Sequence, residues 1–447
     1  MKIIKKYIGD LFLATRFYLG AGICIAVFVL AFFIPTLLGA AGILFFAYLL
    51  LVLADYLLLF VAGNPPKATR IVPSRLSNGD ENKVNLLIRN RNRFAIDMMI
   101  IDELPVQMQE RRFEIGKKFA PLQQQNISYT ILPAQRGSYE FGSMHLYVSS
   151  RAGLVLRRFT IPATQTVSVY PSYVQMRKYQ LLSKSATNNE TGAQRKRKIG
   201  QSMEFEQIKD YISGDDIRAI NWKATARRGL LMVNNYVDEK SQQVYCVIDK
   251  GRLMKMPFNG LSLLDYAINA ALAVTNVCLQ KQDKIGLITF SNKMGTLIPA
   301  ERKAVQRENI LQALYKEQTA FLESDYEMLY MQIRNKIKQR SLLILYSNFE
   351  SVSGLRRQLP YLRSIARHHL LLLVFFENTE LNKLAQEDAL SVEDVYIKTV
   401  AEKFIFEKKL LVKELQKYGI LSILTAPENL TINTVNKYLE LKSRQAL

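Results

Sequence analysis

The chain predicts an α/β protein: two N-terminal transmembrane helices, a small antiparallel β-sandwich, and a C-terminal doubly wound parallel sheet. Three observations carry that expectation. From residue 17 to residue 66 the only charged residue is Asp55. From 67 to about 170, short runs alternate apolar and polar side chains. After residue 239, continuous apolar runs alternate with amphipathic helical periods, which is the mark of parallel strands covered on both faces.

The apolar N-terminal run is long enough for two spans of ~20 residues. Pro35 and the Gly39–Ala40–Ala41–Gly42 segment divide it. We expect spans at 11–34 and 37–61, with Asn64–Pro65–Pro66 ending the second helix, because proline lacks the N–H and disfavours a helical residue before it. Lys2, Lys5, Lys6 and Arg16 flank the hairpin on one side, and Lys67, Arg70 and Arg75 on the other. Bases at both ends place both ends in the cytoplasm. A cleaved signal peptide is the rival reading, and it also leaves the later chain in the cytoplasm. The localisation implied is the inner membrane, with two spans over 1–66. Asp55, near the cytoplasmic end, is expected to snorkel or to pair with a base.

Residues 67–170 read as an immunoglobulin- or fibronectin-like sandwich. Val84, Leu86 and Ile88 alternate with polar residues, and Asn78–Gly79–Asp80 and Arg136–Gly137–Ser138 give turns. His145 is read as structural. Residues 171–199, polar and basic, read as a linker.

In the C-terminal part, 241–447, strands are expected at 244–249, 284–290, 342–346, 370–376 and 421–425. Helices are expected at 261–280, 305–317, 326–339, 355–367, 400–418 and 432–444. Ligand sites in such sheets lie beyond the carboxyl ends of the strands. Those ends carry Asp249, Ser291, Ser347–Asn348, Glu377 and Thr425. Cys24, Cys246 and Cys278 are far apart, with no metal or redox spacing, so they read as reduced structural thiols. His368–His369 reads as structural.

Between sandwich and sheet, residues 200–240 concentrate the chain's chemistry. They hold its single tryptophan, Trp222, a Gly214–Asp215–Asp216 turn and many alternating charges. Asp215–Asp216 followed by Ile217, Ile220 and Ala224 reads as a capped helix, with Arg227 and Arg228 at its carboxyl end and Gly229 as its stop. Trp222 is expected as a packing anchor.

Two resemblances follow from these residues. The strand ending at Asp249, the helix over 261–280 and the run Ile285–Gly286–Leu287–Ile288–Thr289–Phe290–Ser291 resemble a von Willebrand factor A domain. Many such domains hold a divalent ion at an Asp-x-Ser-x-Ser loop. Here Gly251 and Leu253 stand where the serines would be, Asn348 stands for a later aspartate, and Ser324–Asp325 for a threonine. Asp249, Ser324 and Asn348 are thus a degenerate metal set. One carboxylate makes a poor magnesium site, so no cofactor is expected.

The second resemblance is to the bacterial family called domain of unknown function 58 (DUF58). It rests on Glu204–Phe205, Lys209, Tyr211, Gly214–Asp215, Arg218, Ile220, Trp222–Lys223 and Ala226–Arg227. Lys209 replaces a more usual arginine and Asn221 a more usual aspartate. The resemblance implies a membrane-bound adaptor or assembly factor that works with MoxR-type AAA+ ATPases and other A-domain proteins. Its contact surface would include Glu204, Phe205, Tyr211, Gly214, Asp215, Asp216, Arg218, Trp222, Lys223 and Arg227. The chain has no G-x-x-x-x-G-K-[ST] loop of its own. The alternatives are a metal-dependent hydrolase using Glu204, Asp215, Asp216 and Lys223, or a protein that binds nucleic acid or anionic lipid. The last is motivated by a net charge of +21 and by Arg195–Lys196–Arg197–Lys198. Juxtamembrane bases favour lipid over nucleic acid.

Overall fold

The computed structural model describes residues 9–110, 113–172, 203–212, 217–238, 241–319, 321–387 and 391–444, with backbone alone at 203–207 and 235–238. The expected linker falls almost wholly outside these residues. The chain forms two compact units, 1–170 and 171–447.

The first unit begins with a short strand, β1 (Leu11–Leu13), followed by helices α1 (Thr15–Phe33) and α2 (Leu38–Phe60), joined by a turn at Pro35–Leu37. Both helices are long and apolar enough to cross a membrane. The first is shorter than its apolar run. Leu11–Leu13 pairs antiparallel with Val155–Arg157, and Ala14 N donates to Leu154 O at 3.1 Å. This edge pairing satisfies backbone groups that a longer helix would have bonded internally, so the helix starts at Thr15. At ~1.5 Å per residue, its 19 residues cover about 28 Å, close to the thickness of a bilayer's hydrocarbon core.

The strands β2 (Lys67–Ile71), β3 (Arg75–Ser77), β4 (Asn82–Arg89), β5 (Ile96–Asp102), β6 (Glu114–Phe119), β7 (Gln124–Ile131), β8 (Gly137–Phe141), β9 (Met144–Ser149), β10 (Val155–Ile161) and β11 (Gln165–Tyr170) follow. They form a five-stranded sheet β1-β10-β9-β5-β6 and two three-stranded sheets, β2-β4-β7 and β3-β11-β8. All pairings are antiparallel except β3 with β11. Val84, Leu86 and Ile88 are buried as the alternation requires, and Leu59 and Phe60 of α2 enter the same core. Within it, Asp102 accepts from both Arg70 and Tyr129, the latter at 2.6 Å, so the buried acid is paired and hydrogen-bonded.

Asp55 corrects the sequence reading. It neither snorkels nor pairs with a base. It is buried, and its carboxylate accepts from the Ser150 hydroxyl and, at 3.0 Å each, from Leu154 N and Val155 N. Asp55 thereby bonds α2 to the loop that starts β10. Arg157 adds a bond of 2.6 Å to Leu59 O and lies over the Phe60 ring at 4.7 Å.

The second unit opens with a hairpin, β12 (Met203–Asp210) and β13 (Met232–Asp238), which brackets helix α3 (Trp222–Arg228). The sheet then uses β14 (Gln243–Asp249). A two-residue ladder of β15 (Pro257–Phe258) and β16 (Leu261–Ser262) precedes α4 (Leu263–Gln280). There follow β17 (Lys284–Phe290), β18 (Met294–Glu301), α5 (Val305–Lys316), α6 (Tyr326–Lys336), β19 (Leu342–Tyr346), α7 (Val352–His368), β20 (Leu370–Phe376), α8 (Thr379–Gln386), α9 (Val392–Lys417), β21 (Leu421–Thr425) and α10 (Leu430–Ser443).

The sheet order is β18-β17-β14-β19-β20-β21. Five strands are parallel, and β18 is an antiparallel edge absent from the sequence expectation. Its residues are mostly half-exposed, with irregular register, so no apolar run announces it. Helices α4, α5 and α10 pack on one face, and α6, α7 and α9 on the other. Helix α4 also has membrane-like length and hydropathy, but it is buried almost throughout as the central core helix, and the Ser262–Asp265 capping box starts it. Helix α9 begins eight residues before the expected start at 400, at the capping box of Ser391 and Asp394.

Candidate functional site

The strand order reverses around β14, whose neighbours are β17 and β19. Crevices of open α/β sheets form at such a switch point, beyond the carboxyl ends of the strands. Asp249, the last residue of β14, stands there, only 4% exposed. Its Oδ1 accepts from Gly251 N at 2.8 Å and from the Ser324 hydroxyl. Its Oδ2 accepts from the Ser347 hydroxyl at 2.7 Å, with Tyr326 Oη at 3.2 Å. Tyr326 and Ser347 also bond to each other, at 2.6 Å. Burial pushes the Asp249 carboxyl up from its ordinary range, and these hydrogen bonds act in the opposite direction.

The backbone explains how the donors arrive. Arg252 N bonds to Leu322 O and Asp325 N to Ser291 O, which lays the segment before α6 across the strand ends. Asp325 then caps α6, accepting from Met328 N at 3.0 Å. Gly251 sits where an added Cβ would strike the Ser324 hydroxyl. The glycine and the close Ser324–Asp249 bond therefore belong together.

Asn348 does not join this cluster through its side chain. Its Oδ1 accepts from Lys408 Nζ of α9 at 2.8 Å, and the same ammonium donates to Phe349 O at 2.5 Å. Burial pulls the Lys408 ammonium down to about 8. Of the degenerate metal set, the fold brings Asp249 and Ser324 together and turns Asn348 to a lysine. A hard cation needs several free oxygens at short range, whereas here the carboxylate oxygens are engaged by hydroxyl and amide donors and an ammonium holds the amide. The set does not fit a divalent ion. Among the described residues no group of three His, Cys, Asp or Glu side chains is placed to hold one.

A second buried charge flanks the crest. Lys250 Nζ lies 2.6 Å from Glu317 Oε2, and Glu317 Oε1 accepts from Thr289 and Thr296 hydroxyls at 2.7 and 2.8 Å. Burial raises the Glu317 carboxyl, but the Lys250, Thr289 and Thr296 hydrogen bonds outweigh it and hold it low. Sequence reasoning placed Ser347 at a strand end without giving it a role, and missed Tyr326, Glu317 and Lys408. Tyr326 neighbours Asp325 in sequence; Glu317 and Lys408 carried no local signal.

The motif forms differently from its sequence reading. Gly214, Asp215 and Asp216 lie outside the described residues, as do the side chains of Glu204 and Phe205. The hydrolase constellation that needs those carboxylates cannot be assembled from the described residues. The helix does not begin after Asp216. Ile217–Ala219 is a short 3-10 turn, and α3 starts at Trp222 with Asn221 as cap, its Oδ1 accepting from Ala224 N at 3.0 Å. Gly229 closes α3 in the left-handed conformation, φ 72°, which suits glycine. Asn221 N bonds to Met232 O, Tyr211 N to Leu231 O, and Met232 N to the Thr225 hydroxyl. These bonds gather the start of α3 and the Tyr211 end of the hairpin at one place.

Trp222 is not a packing anchor. It is 68% exposed, and Ile212, Ile217 and Leu230 are each at least 64% exposed. The reason is local: a seven-residue helix has one face for the hairpin, and Trp222 falls outside it. Arg218, Lys223, Arg227 and Arg228 are exposed alongside, with Arg228 Nη1 3.7 Å from Asp210.

An uncharacterized protein of Bacillus subtilis, YeaD, is 25% identical over 214 residues, 46% of this chain and 53% of its own length. The uncharacterized protein Rv1480 of Mycobacterium tuberculosis is 22% identical over 166 residues, 37% of this chain and 51% of its own length. The chain thus spans about half the length of the curated relatives it matches. Among solved structures, the CARDB domain of the PF1109 protein from Pyrococcus furiosus aligns with 24% of this chain and 94% of its own, at 12% identity and a TM-score of 0.17, too low to carry an argument. Residues 207–402 match the family described as "Protein of unknown function DUF58"; this match and the relatives support the DUF58 family that the motif resembles.

Proposed function

We propose that the chain is a non-enzymatic, membrane-anchored adaptor or assembly factor that works from the cytoplasmic face with a MoxR-type AAA+ ATPase. The observation that carries the reading is the exposure of Trp222 with Ile212, Ile217 and Leu230. Several large apolar side chains exposed on one short motif, among basic residues, are the kind of surface that marks interaction sites, and tryptophan and arginine are the residues that anchor them. The basic rim suits a partner whose apolar face is bordered by acids. Two membrane-length helices supply the anchor, and their basic flanks support a cytoplasmic orientation.

Five parallel strands with one antiparallel edge support a von Willebrand factor A-like reading of the sheet. The crest then serves as a fixed scaffold rather than a metal site. The alternative, a metal-dependent hydrolase using Glu204, Asp215, Asp216 and Lys223, rests on carboxylates that lie outside the described side chains.

The test is a pull-down of the detergent-solubilised full chain, with and without nucleotide, comparing wild type with Trp222→Ala and Asp249→Ala. A nucleotide-dependent AAA+ ATPase enriched by wild type and lost with Trp222→Ala is the expected result. Enrichment of none under any condition removes the proposal.

A further inference from the structure

Where α2 meets the β-sandwich, a cavity of about 560 Å³ opens. One wall is Leu51, Ala54 and Leu58, a single face of the helix at i, i+3 and i+7. The other comes from sandwich loops, chiefly Phe94 and Pro121, and Arg151 lines the cavity too. Asp55 and Ser150 also line it, but the Asp55 oxygens are taken up by the Ser150 hydroxyl and the Leu154 and Val155 amides. The exposed cation among the lining residues is Arg151.

We infer that this cavity holds one anionic phospholipid of the surrounding bilayer, with an acyl chain along Leu51, Ala54 and Leu58 and the phosphate on Arg151. The inference rests on the membrane-anchored reading above. The shape of the site matches an amphiphile. The helix wall runs from Leu51 to Leu58, ~10 Å at 1.5 Å per residue, and it continues into a helix whose side chains are exposed and apolar. A hydrocarbon chain can enter from the bilayer without crossing water. The small side chain of Ala54 leaves the room.

At the other end, the loop carrying Arg151 is fixed in place. Arg16 Nη1 donates to Arg151 O and Ala152 O at 3.1 and 3.2 Å, and Gly153 takes a left-handed φ of 65° against that same Arg16 side chain. Arg91 and Arg93, exposed in the loop that carries Phe94, add positive charge on that side. A planar guanidinium forks onto phosphate oxygens, and basic residues near an anionic leaflet each gain about 1 kcal/mol.

The full chain in mild detergent, titrated with phosphatidylglycerol or phosphatidylcholine of identical acyl chains and read by native mass spectrometry, tests this. Wild type should retain one phosphatidylglycerol at about fivefold lower concentration than phosphatidylcholine, the factor expected of one such basic contact. Arg151→Gln should erase that preference, and Ala54→Trp should block retention of both lipids. Equal retention of the two lipids by wild type, or an unchanged preference in Arg151→Gln, overturns the inference even if Ala54→Trp fails to fold. Extraction of the expressing membranes with alkaline carbonate separates the two claims. A chain released by carbonate overturns the membrane anchor and this site together; a chain retained but without lipid preference overturns this site alone.

Discussion

Ser347 Oγ stands 2.7 Å from Asp249 Oδ2, and the bond ties the carboxyl ends of two neighbouring parallel strands, β14 and β19. Tyr326 and Ser324 reach the same carboxylate from the start of α6. The place where a sheet of this kind opens its ligand crevice is here closed by internal hydroxyls. A buried carboxylate with this many donors is a joint between elements, and its substitution should show in stability before it shows in binding.

Asp249→Ala leaves the Gly251 amide and the Ser324 and Ser347 hydroxyls without their acceptor. Unsatisfied buried donors cost ~1–3 kcal/mol each before relaxation, so a loss of about 3 kcal/mol is expected in urea denaturation of the purified chain. Millimolar magnesium should leave the wild-type Tm unchanged. A magnesium-dependent rise in Tm that Asp249→Ala abolishes would show that the crest binds the ion after all.

Lys408 sets a pH dependence. Burial pulls its ammonium down to about 8, with Glu350 partly restoring it, whereas the unfolded chain holds an ordinary lysine near 10.5. Between those values the unfolded state binds more protons, so this group makes stability rise with pH, by up to about 3 kcal/mol across the window. The contribution is present above about 10.5 and is lost as pH falls through 8. Denaturation curves of wild type and Lys408→Met from pH 7 to 11 should converge in slope only outside that window. Parallel curves throughout would remove the assignment.

What the sequence made legible follows from range. The five parallel strands stood out because each is a continuous apolar run that the sheet buries on both faces. The edge strand β18 did not, because half-exposed residues such as Thr296 and Ala300 carry neither a buried run nor a clean alternation. Leu11–Leu13 hid inside an apolar stretch, since its strand character comes from pairing with residues near 156. Asp55 was misread because Ser150, Leu154 and Val155 lie about a hundred residues further along. The metal set was named from positions relative to Asp249, and position alone could not show that Lys408, sixty residues after Asn348, takes that amide. Trp222 was misjudged for a related reason: composition favours burying a tryptophan, but a two-turn helix on a hairpin cannot cover every side chain it carries.

Asp55 should anchor α2 to the sandwich. Asp55→Ala strips the acceptor from two backbone amides and a hydroxyl at a buried site, for an expected loss of about 2–4 kcal/mol. Asp55→Asn keeps one acceptor oxygen and should fall between alanine and wild type. Limited proteolysis of the loop around Ser150 in detergent reads the effect locally, with cleavage faster in the order alanine, asparagine, wild type. Equal rates in all three would mean that the bond does not hold the helix to the loop.

Trp222 offers the sharpest separation of stability from interaction. Its side chain is mostly in solvent, so Trp222→Ala should change unfolding free energy by no more than ~0.5 kcal/mol, as surface substitutions do. At a partner interface the same truncation is expected to cost ~2 kcal/mol or more, because buried tryptophans dominate such surfaces. Being the only tryptophan in the chain, it is also its own probe. Emission from the free protein should resemble that of indole in water, and addition of a purified MoxR-type ATPase, the proposed partner, should shift it to shorter wavelength as the ring leaves water. Leu230→Ser, at another exposed apolar residue of the motif, should weaken that shift without altering the emission of the free protein. If the free protein already emits as a buried indole, or if Trp222→Ala unfolds it, Trp222 belongs to the core, and the patch loses its standing as the contact surface.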